Sequence, residues 1–188
     1  GVGVSCVNAL AETLTIEIFR DGAIHEQSFA RGAKTTELTR TGDSTRHGTR
    51  LTFKPDATIF EVVEFNYDTI STRLREMAFL MGRAGLKIHV TDDRDGRTDS
   101  YSYPNGLDDF ISFINEAKEP LHSEIVGIVA EVEDAQGSPV AIELALQYNN
   151  SYREDVYAFV NNINTTEGGT HLSGFRSGMT RALNNYAK

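Results

Sequence analysis

Apolar residues recur along this chain with two periods, and each period predicts a different element. Leu14, Ile16 and Ile18 alternate with Thr15, Glu17 and Phe19, the period of a half-buried strand. Asp21-Gly22 then favours a tight hairpin turn, with the chain returning from Ile24 to Phe29. From Ala30 to Arg46 no period is clear, which predicts a loop or a weak edge strand. Leu51-Thr52-Phe53 restores strand character until Pro55 stops it. The helical period appears over Asp68 to Met81, where Ile70, Leu74, Met77, Ala78 and Met81 share a face. Lys87–Thr91 and Asp99–Tyr103 form a second hairpin pattern around Asp95-Gly96.

Pro104-Asn105-Gly106 is the best internal boundary, dividing the chain into residues 1–103 and 104–188. Beyond it Leu107, Phe110, Ile111 and Ile114 predict a short amphipathic helix. Two strands follow, over Ile125–Val132 and Val140–Tyr148, the second strictly alternating. A third strand over Val156–Asn161 leads through Gly168-Gly169 into a last helix. Its predicted buried stripe is Leu172, Phe175, Met179, Ala182, Leu183 and Tyr186. Hairpins mixed with few helices indicate an α+β fold.

Composition narrows the function classes. A net charge of −9 gives the chain no overall attraction to nucleic acid or an anionic membrane, so any such contact needs a local basic patch. The single cysteine, Cys6, excludes an intrachain disulfide and points to a reducing cytoplasm. No apolar run approaches the roughly 18–20 residues that span a bilayer. The chain opens on Gly1 without an initiator Met, directly on a functional-looking loop, which suggests a piece of a longer protein.

That opening is the most suggestive chemistry. Gly1-Val2-Gly3-Val4-Ser5-Cys6 frees the backbone to bend closely around a ligand, and Val7-Asn8-Ala9-Leu10 reads as the start of a helix. A glycine loop feeding a helix N-terminus offers unpaired N–H groups and a positive dipole end, a seat for phosphate. The spacing is neither the Walker pattern nor the full dinucleotide fingerprint, and an ordinary tight turn has the same composition. Thr49 precedes a strand, where a hydroxyl is usually structural but can also bond a ligand's base edge. Asp92-Asp93-Arg94-Asp95-Gly96 lacks the closing Glu of an EF-hand and reads as a solvated hairpin turn. The five histidines show no metal-ligand spacing. Arg176 and Arg181 lie outside the apolar stripe of the last helix, as solvated cations or as a local polyanion contact.

Several segments together resemble a known family. Gly1–Leu10 is similar to the end of the ATP-lid loop of the ATPase (B-type) subunits of bacterial type IIA DNA topoisomerases. Phe65-Asn66-Tyr67-Asp68, Arg73–Leu80, Lys118–His122 and Val140–Asn149 match the same pattern. The most specific segment is Val160-Asn161-Asn162-Ile163-Asn164-Thr165-Thr166-Glu167-Gly168-Gly169-Thr170-His171-Leu172. It disfavours other ATPases of the GHKL type, such as chaperones and mismatch-repair proteins.

The resemblance implies the C-terminal part of a GHKL ATPase domain (Bergerat fold) over 1–103, then the N-terminal part of a transducer domain over 104–188 with a left-handed β-α-β crossover. Gly1, Val2, Gly3 and Val4 would contact phosphate, and Thr49 would lie at the adenine end of ATP. Arg20 would sit at the mouth of the pocket where coumarin-type inhibitors bind, and Arg176 would face the cavity for the transported DNA duplex. In the full-length protein it implies ATP and Mg²⁺ as cofactors and homodimerisation on ATP binding. It also implies duplex DNA and a DNA-cleaving A-type subunit, joined in a heterotetramer, as partners. The family's general base, its Mg²⁺-holding Asn and its adenine-reading Asp would precede Gly1, and its γ-phosphate lysine would follow Lys188. The parent therefore resembles an ATP-hydrolysing topoisomerase, whereas the 188-residue chain alone is expected to be an inert structural or interaction module that binds no cofactor tightly.

Overall fold

The computed structural model describes residues 2–188, which form two compact units divided between Phe65 and Asn66. Each unit is built from antiparallel hairpins and helices, the α+β class expected from the sequence.

In the first unit α1 (Gly3–Ala9) leads into an antiparallel sheet. Its strands are β1 (Ala11–Arg20), β2 (Ala23–Ala30), β3 (Ala33–Lys34), β4 (Thr39–Asp43) and β5 (Gly48–Pro55). β1 is central, between β2 and β5, and β2 carries both β3 and β4 on its outer edge. Asp21 and Gly22 both take positive φ (53° and 77°), as the mirror-image turn matching strand twist requires. Ala11, Leu14, Phe19 and Ala23 fill the core of this unit. The aperiodic stretch Ala30–Arg46 supplies two short strands along the β2 edge, β3 and β4, held mainly by main-chain pairing that no side-chain period announces.

The second unit begins with α2 (Tyr67–Leu80), capped by the Asn66 side chain, which accepts from the Thr69 amide at 2.9 Å. A 3₁₀ turn, Gly82–Ala84, leads to the hairpin β6 (Lys87–Asp92) and β7 (Arg97–Ser102), then to α3 (Leu107–Ile114). Next comes a hairpin of β8 (Val126–Glu133) and β9 (Pro139–Leu146). The short pair β10 (Phe159–Val160) and β11 (Ile163–Asn164) precedes α4 (Thr170–Tyr186). An aromatic stack holds the centre. The Phe79 ring lies 3.7 Å from that of Tyr103, 5.0 Å from Phe110 and 5.6 Å from Phe113.

Three expectations need correction in this unit. The buried face of α2 is turned towards Tyr67, Ser71, Ala78 and Phe79, leaving Met77 exposed, because polar partners on β7 allow Tyr67 and Ser71 to be buried. The strand expected over 156–161 shrinks to Phe159–Val160, since Asn161 and Asn162 both adopt positive φ and turn the chain back. The stripe on α4 is not buried: Leu172, Phe175 and Met179 are half-buried, while Ala182, Leu183 and Tyr186 are exposed. Register also puts Val126, Ile128, Ala130 and Val132 on one face with Val140, Ile142, Leu144 and Leu146, and most of these are exposed or half-exposed.

Candidate functional site

The proposed phosphate loop is largely helix. The Cys6 amide donates to the Val2 carbonyl at 3.0 Å, closing the first turn, so Gly3 and Val4 are the opening residues of α1 and Val2 is its N-cap. Gly1 lies outside the described residues. No side chain caps this end, and Val2 and Val4 are exposed, so the first amides face outward without a side-chain acceptor.

Thr49 and Arg20 share another part of the first unit. Thr49 on β5 lies opposite Ile18 on β1, and Arg20 is two residues further along β1, so all three share one face of the sheet. Both functional candidates are exposed, and Arg20 pairs with Asp21 at 3.5 Å. On the opposite face Phe19 is buried beneath the guanidinium groups of Arg46 and Arg50, at 4.6 and 5.8 Å from the ring centre. α1 joins the sheet at Ala11, seven residues from Ile18, or about 23 Å along the strand. Among the described residues no hydrogen bond joins the α1 amides to Thr49.

The most perturbed charges lie elsewhere: the sequence marked Asp92 only as part of a solvated turn, although it is buried, and gave no sign of Asp56 or Asp99. Asp56 is buried at the exit of β5, where Arg31 Nε donates at 2.5 Å and the Thr58 amide and hydroxyl donate at 2.9 and 2.7 Å. These bonds hold its carboxyl well below the ordinary carboxylate range. Asp99 accepts from the Tyr67 and Ser71 hydroxyls at 2.8 and 3.0 Å, which lowers its pKa, while burial and then the hydrogen bond to Asp99 raise that of Tyr67. Asp92 is held down to about 2, first by hydrogen bonds from Arg94. Each carboxylate has its donors supplied by the protein and secures a turn or a helix–hairpin contact. No group of three or more His, Cys, Asp or Glu among the described residues converges to hold a metal ion.

On α4, Arg176 is half-exposed and pairs with Glu154 at 3.0 Å. Ser177, Thr180, Arg181, Asn184 and Asn185 continue its side of the helix and with it line a shallow, open depression.

With these positions fixed, comparison with known proteins is decisive. The family model described as DNA gyrase B matches residues 106–188. The DNA gyrase B protein of Clostridium acetobutylicum is 45% identical across the whole chain. Over its whole length the chain is similar to proteins of the DNA gyrase B and topoisomerase IV B family. The topoisomerase 4 B protein of Bacillus subtilis is 43% identical, again across the whole chain. The chain spans 29% and 28% of the lengths of these two relatives. A crystal structure of the 43K ATPase domain of Thermus thermophilus gyrase B, in complex with an aminocoumarin, superposes with a TM-score of 0.85 at 35% identity. That match covers all of this chain and half of the other. Among the described residues no helix is long and apolar enough to cross a membrane.

Proposed function

We propose that this chain is the part of a gyrase B-type topoisomerase protein that carries ATP-dependent motion from nucleotide pocket to DNA. In this reading residues 1–103 complete the GHKL ATPase domain. Residues 104–188 begin the transducer, whose left-handed β-α-β crossover belongs to the longer protein. The start of the family match at Gly106 supports that division, although the compact units part earlier, at Phe65. The observation that carries the proposal is the whole-length superposition on the gyrase ATPase structure. The uncapped α1 amides supply the type of donor a polyphosphate takes, and Thr49 supplies a hydroxyl for the adenine end. Arg20, exposed on the same sheet face as Thr49, suits the mouth of an aminocoumarin pocket such as the relative's. Arg176 faces the transported duplex. ATP, Mg²⁺, the A-type subunit, dimerisation on ATP binding and a cytoplasmic setting belong to the full-length protein.

Alone, the chain acts as a structural and interaction module. The Val2–Val4 amides and Thr49 offer only a few hydrogen bonds, each worth about 0.5–1.5 kcal/mol net, short of the roughly 8 kcal/mol of micromolar affinity. Titration calorimetry of the 188 residues with ATP should give no micromolar binding, and no hydrolysis above buffer. In a full-length gyrase B protein, Thr49→Ala should raise the Kd for ATP. An unchanged Kd there, or turnover by the isolated chain, refutes this assignment of roles.

A further inference from the structure

The charge on α4 is all of one sign. From Gly168 to Lys188 the chain has Arg176, Arg181 and Lys188 and no Asp or Glu, within a protein of net charge −9. Arg176, Ser177, Thr180, Arg181, Asn184 and Asn185 recur at the spacing of a single helix face and together line one open groove. The two guanidinium groups differ in one respect. Arg176 is paired with Glu154, whereas Arg181 has no acidic group within ion-pair distance among the described residues.

We propose that Arg181 is the principal phosphate contact of this groove, and that Glu154 restrains Arg176 by competing with DNA for its guanidinium. The proposal rests on the reading of α4 as DNA-facing and extends it to a second cation and to a built-in competitor. Charge complementarity selects the occupant. A basic, amide-lined strip on an otherwise acidic protein attracts a polyanion locally while the rest of the surface repels it. The strip is shallow and open, so it suits the backbone of a duplex and leaves base edges unread. Arg176 and Arg181 are about 7.5 Å apart along the helix axis, a separation that lets them engage neighbouring phosphates. Asn184 and Asn185 extend the groove with neutral amide donors that meet phosphate oxygens without adding charge. Glu154 is exposed and tied to Arg176 by a single ion pair, so incoming phosphate can displace it.

The test is fluorescence anisotropy of a short labelled duplex titrated with the 188-residue chain over a range of low salt concentrations. Arg181→Ala should weaken binding about three- to tenfold and reduce the slope of log affinity against log salt by about one. Arg181→Lys should recover most of both. Glu154→Gln should tighten binding and steepen the slope, and that gain should vanish in Glu154→Gln/Arg176→Ala. If Arg176→Ala weakens binding while Arg181→Ala does not, the role of Arg181 falls and the DNA-facing reading stands. Binding unchanged by either substitution, or no saturable binding by the wild-type chain, overturns that reading as well. Equal competition by heparin and by duplex would refute the assignment to duplex DNA. Thermal melting of each variant separates a lost contact from a lost fold.

Discussion

α2 and α4 begin from similar sequence patterns and end in different environments. Each carries apolar residues at helical spacing, yet α2 buries Ala78 and Phe79 almost completely whereas α4 buries no residue. The difference lies in what each helix meets. α2 packs against β6, β7 and α3, and Gly82 just beyond it lets the Tyr103 backbone close in. α4 is held by lighter contacts, such as the Thr165 hydroxyl against His171 at 3.1 Å and the Glu154–Arg176 pair. Periodicity specifies a helix and its apolar face, while burial also requires a partner surface.

The sharpest way to break this comparison is to truncate the buried helix. Phe79→Ala removes a ring stacked on Tyr103 and Phe110 and should destabilise the second unit by about 3–5 kcal/mol, read as a fall in urea midpoint. Gly82→Ala should cost about 1–3 kcal/mol or more, because an added Cβ would meet the Tyr103 carbonyl oxygen at 1.8 Å and that neighbour is backbone. A midpoint unchanged by either variant would show that the aromatic stack does not carry this unit.

The elements that could be read from sequence are those whose side chains announce them. Alternation and Asp-Gly turns marked β1, β2, β6 and β7, and periodic apolar residues marked α2, α3 and α4. What stayed hidden depends on contacts between distant residues. Asp56 is conspicuous only beside Arg31, twenty-five positions away, and Ser71 is a core residue only because Asp99 and Tyr101 accompany it. At the candidate site, resemblance supplied Val2–Val4, Thr49, Arg20 and Arg176. The structure adds that Thr49 and Arg20 share a face and that Gly3 and Val4 are helical. Gly1 lies outside this description.

Acid sharpens the comparison from the side of the first unit. Asp56 has its pKa depressed in the folded chain by Arg31 and Thr58, so between its folded value and the unfolded value of about 3.9 the unfolded state binds more protons. The stability it contributes is present above that unfolded value and lost as pH falls through the folded one. Asp92, at about 2, and Asp99 act in the same direction in the second unit. Thermal stability should be nearly flat from pH 7 to about 5 and fall below about 4. Asp56→Asn should lower the melting temperature at neutral pH and flatten the acid limb. An acid limb identical to that of wild type would remove Asp56 from this account.

A smaller effect is expected where the sequence alone would suggest a large one. Phe175 belongs to the apolar stripe of α4 but is only partly buried, so Phe175→Ala should cost about 1–2 kcal/mol, under the cost at Phe79. Urea titration of the two variants side by side tests the contrast directly. Equal losses would mean that α4 is packed as tightly as α2.

The smallest effect on stability should come from Arg176, and it separates the structural from the functional contrast between the helices. Its guanidinium is half-exposed and its ion pair with Glu154 is open to solvent, so the pair is worth at most about 1 kcal/mol. Arg176→Ala should therefore melt within about 0.5 kcal/mol of wild type, as surface substitutions do. In a full-length gyrase B protein, if Arg176 faces DNA as proposed, the same change should impair ATP-driven supercoiling while basal ATP hydrolysis persists. Supercoiling and hydrolysis assays run on one preparation distinguish the cases. Hydrolysis falling in proportion to supercoiling would place Arg176 in the fold or the ATPase cycle. Retained supercoiling would remove it from the path of the transported duplex.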